Sequence, residues 1–437
     1  MANNHYIPRL ILRNFTTPNN ILECGREINY LKKHSEKISI FNVKTNEIHL
    51  NEKIENIYCE KDLYDSELEK KFNLRLESQF GNFFNNIIKM KESEIILKRH
   101  EIMLIKKFLI ISILRVKNCS DSIRYNKDRR KNIDIDKEIL FAAARGIKLT
   151  REEIECFLKK DKNKLDGMYN EKVIEGETDV EYWYRTLNVI LDTDGSSEQI
   201  KNHKYVTSTA IRWSKVVEDG YLAFWDSYEK NDFVITDVGM TSENEKTFNE
   251  VVYNFQKTNQ LNEIALNLND NKVVNPPRNF LFETNKQLYF NHNFHENFMM
   301  FPISSKRMIV LISPYFKFLE GFREHYKFTA DYSSLTYITD TSIFQPNTNR
   351  YVNVDGHMQP TSFHEDDEYI YKIQNLNRKD TLYCNCLFLD RIETFLGFSH
   401  LFDLASSVLS YKKRTKKWKY AKVNYETLEK IIKESIK

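Results

Sequence analysis

From about Ile95 to Lys117 the chain is apolar around most of a helix's circumference, most densely from Phe108 to Leu114. A helix without a polar face has no place at a surface, so this stretch predicts a central helix buried by its neighbours. It does not predict a membrane span, because the run from Met103 to Val116 falls short of the roughly 20 apolar residues a bilayer requires and is interrupted by Lys106 and Lys107. A partner for it precedes it in the chain. From Ser66 onward, Leu68, Phe72, Leu76, Phe80, Phe83, Phe84 and Ile87 recur at helical spacing and place a wide apolar stripe along one side of a helix.

Around these two helices the pattern changes along the chain. Ile38 to Leu50 reads as a hairpin, with β-prone runs flanking a Lys44-Thr45-Asn46 reversal. Ser120 to Lys137 is densely charged with both signs and reads as a solvated loop or helix end, the alternative being a phosphate contact. Asp136 to Ala144, Thr150 to Leu158 and Val180 to Leu191 read as helices. After about Lys204, short β-branched and aromatic runs take over at Tyr205–Thr209, Phe233–Asp237, Asn279–Phe282, Met299–Ile303 and Met308–Ile312. Helices are expected again at about Glu245–Leu268, behind the Ser242–Glu245 capping box, and at Arg391–Tyr411 and Tyr425–Ile436. This order predicts an α+β fold, with a helical N-terminal half (1–203) packed on a strand-rich mixed C-terminal half (204–437), as two regions or one continuous domain. With only 11 Gly and 8 Pro, no linker marks the boundary by composition.

Composition narrows the functional classes. A 41% hydrophobic share with 29% charge supports a folded core and excludes a disordered chain. The formal charge of +3 argues against a bulk-basic nucleic-acid or membrane-surface binder and leaves only local basic patches. No secretory signal opens the sequence, and Cys24, Cys59, Cys119, Cys156, Cys384 and Cys386 are scattered as reduced thiols would be; a cytoplasmic protein is expected. Cys384 and Cys386, the one close pair, read as strand residues rather than zinc ligands.

The familiar phosphate-loop, dinucleotide, zinc-protease, serine-hydrolase, kinase and deaminase motifs are missing, so most well-known enzyme classes lose support and the sequence identifies no cofactor. Two basic runs interleaved with aromatics stand near the C-terminus. Lys412, Lys413 and Arg414 follow Tyr411, and Lys417 and Trp418 precede Lys419 and Tyr420. Such runs suit single-stranded nucleic acid, whose phosphates meet the cations while its bases stack on the rings; a solvated helix end is the competing reading. His292, His295 and Glu296 offer imidazoles at i, i+3 and a carboxylate, a metal set if helical and a surface loop otherwise. Arg350 and His357 have the loose spacing of some ribonuclease pairs, but the extended Tyr351–Val354 run and the Gly356-His357 turn argue against that use.

The N-terminal run Asn4-His5-Tyr6-Ile7-Pro8-Arg9-Leu10-Ile11-Leu12-Arg13-Asn14-Phe15 is too apolar and aromatic for a frayed tail. It resembles the opening signature of the domain of unknown function 4238 family: a histidine, an aromatic two positions before a proline, then a Leu-Arg-x-Phe segment. Ile57–Tyr64 resembles the family's acidic-aromatic element, and Leu76-Glu77 with Phe80 its Leu-Glu helix, while Arg115 stands where its apolar helix ends in arginine. Phe233–Val238 and Met300–Ser304 are similar to two later elements, although Val238-Gly239 stands where Asn-Pro is usual. The resemblance spans roughly residues 4 to 410 and implies a fold and candidate positions but no reaction.

The polar residues within these apolar contexts need partners if they are buried. His5, Arg9, Arg13, Glu77, Arg115 and Asp237 are the set, and two readings follow. In the first they converge on a nuclease-like site of an effector acting on nucleic acid, single-stranded RNA favoured. There His5 is the acid or base, Glu77 and Asp237 orient it or bind a metal, Arg9 and Arg115 hold a phosphodiester, and Arg13 joins the C-terminal cations in binding the strand. In the second they form a buried ion-pair network, with Arg115 to Glu77 as its bridge, inside a non-catalytic binding or regulatory module for an anionic ligand or partner protein.

Overall fold

The computed structural model describes residues 3–16, 36–89, 93–115, 150–152, 174–219, 221–242, 298–312, 342–345, 351–354, 357–360, 367–415 and 426. The Ser120–Lys137 stretch, the expected helices at 136–144 and 245–268, the 279–282 strand, and His292, His295, Glu296, Arg350, Lys417 and Trp418 lie outside the described residues, as do most of the helices expected at 150–158 and 425–436.

In chain order the strands are β1 (Asn3–His5), β2 (Lys37–Asn42), β3 (Glu47–Lys53), β4 (Cys59–Lys61), β5 (Glu94–Lys98), β6 (Tyr221–Asp226), β7 (Ile235–Thr236), β8 (Thr241–Ser242), β9 (Phe298–Pro302), β10 (Arg307–Ile312), β11 (Ser342–Gln345), β12 (Tyr351–Val354), β13 (His357–Pro360), β14 (Glu368–Asn375) and β15 (Phe395–Phe398). The helices are α1 (Arg9–Leu12), α2 (Ser66–Phe72), α3 (Ser78–Lys89), α4 (Arg99–Leu114), α5 (Asp179–Asp192), α6 (Ser197–Asn202), α7 (Ser208–Asp219), α8 (Arg378–Arg391) and α9 (Leu401–Thr415). The fold is α+β.

The larger sheet runs β11-β14-β6-β10-β9-β8, with β5 also paired to β14. Its pairs are antiparallel except β14 with β6. Alternate side chains enter two different cores. Leu222 and Phe224 of β6, Ile309 and Leu311 of β10, and Met299 and Phe301 of β9 join one core with Phe72, Phe80 and Phe108 of the first helices. Ala223, Trp225, Met308, Val310 and Met300 join the other with Phe388 of α8 and Leu404 and Val408 of α9. Burial on both faces explains why Met308–Ile312 reads as an unbroken apolar run rather than an alternating one. The second sheet, β3-β2-β15-β7, carries the expected hairpin, with Asn46 in the left-handed region at its turn. Strands from the two halves pair directly, β5 with β14 and β2 with β15, so the division into a helical and a strand-rich half is loose.

The central helix is where the apolar run places it, and Phe108 stacks on Phe80 of α3 with centroids 4.2 Å apart. Its expected first turn is instead β5. Ile95 and Leu97 are buried while Glu94 and Ile96 are exposed, a period of two that continuous apolarity conceals. The α2–α3 stripe is continuous through a π-helical turn at Asn73–Glu77. Three other expectations are corrected. Tyr205–Thr209 is no strand; Thr207 accepts a hydrogen bond from the Ala210 amide and starts α7. The helix expected over 391–411 is the end of α8, then β15, then α9, with Gly397 of β15 paired opposite Ile235 of β7. A Cβ there would stand 2.8 Å from Ile235 Cγ2 and 2.9 Å from the Tyr58 hydroxyl. Cys384 and Cys386 sit in α8 rather than in a strand; both are buried, and burial pushes the Cys386 thiol up to about 12.

Candidate functional site

The N-terminal signature is folded into the molecule by pairing β1 with β4, which sets His5 opposite Cys59. The chain then turns at Pro8 into α1, with the amides of Ile11 and Leu12 bonded to the Pro8 carbonyl. Tyr58 is held in the left-handed region at φ 51°, and its carbonyl accepts the Tyr6 amide at 3.1 Å. Two of the expected residues bond directly here, and the charge of a third, Arg9, acts on His5 beside them. The Arg115 guanidinium donates to Glu77 at 2.6 Å and lies 3.7 Å from Glu69. It is also stacked over the Phe72 ring at 4.3 Å. His5 is in the same electrostatic neighbourhood, as the charges of Arg9, Arg115 and Glu77 all act on it.

His5 is 4% exposed and its Nε2 lies 3.0 Å from the Ile54 carbonyl, an acceptor that assigns the proton to Nε2. Burial pushes its pKa down to about 4; the Ile54 carbonyl opposes the change, and Arg9 and Arg115 add to it. The ring is therefore neutral at pH 7. Glu69 is pushed up by burial against the pull of Arg115, and it accepts from Asn4 Nδ2 at 3.3 Å. Tyr64 closes the cluster by donating to the Arg115 carbonyl at 2.6 Å. Glu69, Asn4 and Tyr64 were not singled out in the sequence, although Tyr64 lies in the acidic-aromatic element and Asn4 beside His5.

Asp237 belongs to a different arrangement. Its carboxylate accepts the amides of Glu393, Thr394 and Phe395 at 3.0, 2.6 and 3.2 Å, tying the end of β7 to the start of β15. Burial raises its pKa while those amides resist, and its charge acts on Tyr6 and Tyr58. Arg13 is bonded to Glu36 at 2.7 Å. Lys412, Lys413 and Arg414 are exposed on the last turn of α9, and Arg414 covers the Tyr383 ring at 4.1 Å.

A second polar cluster went unnoticed in the sequence. Asp232, in the segment between β6 and β7, donates its amide to Asp403 Oδ1 at 2.9 Å. Asp403 is in the first turn of α9, and His400 immediately precedes that helix. One ligand atom from each of Asp232, His400 and Asp403 lies within 4.8 Å of the others. Lys306 bonds both the Asp232 carboxylate and the Glu229 carbonyl. Burial, then the Asp232 charge, pushes Asp403 up to about 7. The only local signal was His400 and Asp403 at i, i+3; Asp232 is far away in sequence.

No curated protein and no solved structure matches the chain. The family described as "Protein of unknown function (DUF4238)" matches residues 3–390, most of the sequence and the whole N-terminal signature. The chain belongs to the DUF4238 family.

Proposed function

We propose that the protein is a non-catalytic binding module for an anionic partner, single-stranded RNA being the favoured class. The observation that carries this reading is the state of His5: enclosed, neutral, and spending its Nε2 proton on the Ile54 carbonyl. A general base needs reach to a substrate proton and a pKa near the working pH, and this ring offers neither. Arg115 is likewise committed, to Glu77 and an aromatic face, and Asp237 to three backbone amides. The exposed cations at the end of α9, beside Tyr383, supply the combination of charge and ring that a single strand uses.

Fluorescence anisotropy with labelled single-stranded RNA, tRNA, single-stranded DNA and duplex DNA tests it. Wild type binds the single strand, and the triple variant Lys412→Ala, Lys413→Ala, Arg414→Ala binds with a log–log salt slope shallower by about 2, as loss of three phosphate contacts requires. Equal binding by the variant removes the α9 terminus from the reading. A nuclease-like effector is the second reading, favoured by the charges of Arg9, Arg115 and Glu77 that act on His5. Cleavage of any of the four substrates, with or without divalent metal, that disappears in folded His5→Ala replaces the binding module with that nuclease.

A further inference from the structure

We propose that Asp232, His400 and Asp403 form a binding site for one divalent transition-metal cation of the Zn2+ class. Their three ligand atoms already lie within 4.8 Å of one another, close enough for side-chain adjustment to bring all three onto a single ion. Proximity of acidic groups alone is common, and a second observation points to a ligand here. Asp403 is 2% exposed, and its Oδ2 has no hydrogen-bond partner, although the Oδ1 of the same group accepts the Asp232 amide. A buried carboxylate oxygen left without a hydrogen bond is costly, and a cation is a partner its chemistry accepts.

The surroundings hold this geometry in place. Asp232 is 3% exposed, and its carbonyl accepts Asn385 Nδ2 at 2.9 Å, fastening it to α8. The neighbouring Asn231 donates to Ser406 of α9 at 2.9 Å and accepts from Arg378 at 3.1 Å. The Asp403 amide bonds the His400 carbonyl at 3.0 Å, which fixes the turn between the two ligands. The cation now facing the pair is Lys306, whose side chain is 54% exposed and free to swing toward solvent when a metal takes Asp232. With Lys306 turned to solvent, the two ionised carboxylates match the charge of one divalent ion.

The donor set selects the metal. An imidazole with two carboxylates suits Zn2+ and its neighbours in the first transition row, whereas Mg2+ and Ca2+ prefer oxygen alone. Three protein ligands leave a tetrahedral ion one open position, on the exposed His400 side, for water or a substrate oxygen.

Full-length protein stripped with chelator and freed of it is titrated with Zn2+ and, separately, Mg2+ by calorimetry, alongside His400→Ala and Asp403→Asn. Zn2+ is expected to bind at one ion per chain and Mg2+ at least tenfold more weakly. His400 is exposed, so its replacement leaves the fold intact, which circular dichroism of the metal-free proteins verifies; His400→Ala weakens Zn2+ at least tenfold, and Asp403→Asn does the same. Unchanged stoichiometry and affinity in folded His400→Ala would place the ion on other histidines or thiols and overturn the proposal, as would no Zn2+ binding by the wild type.

Discussion

His5 makes the fold's stability depend on pH in a defined window. In the folded protein its pKa is depressed to about 4, against 6.5 for the unperturbed side chain. A base depressed in this way stays neutral in the native state while the unfolded chain takes up a proton as soon as the pH falls below 6.5. The contribution of His5 is therefore intact above pH 7, is lost progressively as the pH falls from 6.5, and is exhausted near 4. At about 1.4 kcal/mol per pH unit, the interval from 6.5 to about 4 amounts to roughly 3 kcal/mol. The matched perturbation is His5→Gln, whose amide nitrogen can donate to the Ile54 carbonyl as Nε2 does but does not titrate. Urea unfolding of both proteins at pH 7.5, 6.5, 5.5 and 4.5 gives the difference in stability at each pH. At pH 7.5 wild type is the more stable by about 1 kcal/mol, since the glutamine fills the site less well. Toward pH 4.5 the difference reverses by about 2 to 3 kcal/mol, because only the wild type bears the proton-linked penalty. A difference that stays constant across the series refutes the argument, since it would mean that His5 is as easily protonated folded as unfolded.

Two further substitutions separate structure from chemistry in the same region. Arg115→Met keeps the volume beside Phe72 but removes the cation held by Glu77, and should cost about 3 to 5 kcal/mol in urea unfolding; a loss below about 1 kcal/mol would mean that the ion pair is not the bridge of the cluster. Asp237→Ala leaves the amides of Glu393, Thr394 and Phe395 without their acceptor and should cost about 3 kcal/mol, with Asp237→Asn recovering part of it, and faster hydrogen exchange at those three amides in the alanine variant locates the effect.

The sequence announced the elements whose packing is local in character. The α2–α3 stripe, α5 and the β2–β3 hairpin repeat at their own periods, and each lies within a residue or two of where that period puts it. The expectations failed where burial on both sides erases the period. In β5, Ile95, Ile96 and Leu97 are apolar in succession, and only the burial of alternate residues shows a strand. In the stretch from α8 to α9 the hydrophobic residues are dense enough to read as one helix, and β15 is specified by its neighbours, with Gly397 admitting Ile235 and Tyr58. For the site, the bond between Arg115 and Glu77 was legible because each is a charged residue in an apolar stripe. Asp237 was legible as a buried polar residue, but the three amides that hold it belong to a segment more than 150 positions away, so no local pattern could tell an anchor from a catalytic group.

The same distinction bears on what the N-terminal signature is for. Its residues gather because β1 pairs with β4, and they gather around groups already committed: His5 to a carbonyl, Arg115 to a carboxylate and a ring, Tyr64 to the Arg115 carbonyl. Folding accounts for most of these contacts, since each named bond satisfies a buried partner, although Arg115 Nε is itself buried without a hydrogen-bond partner. Asp232, His400 and Asp403 differ in that no motif joins them and the unanswered atom is a carboxylate oxygen, a metal ligand by its chemistry, among three groups of ligand type. A search for chemistry in this fold is therefore better directed at the start of α9 than at the residues that first draw the eye in the sequence.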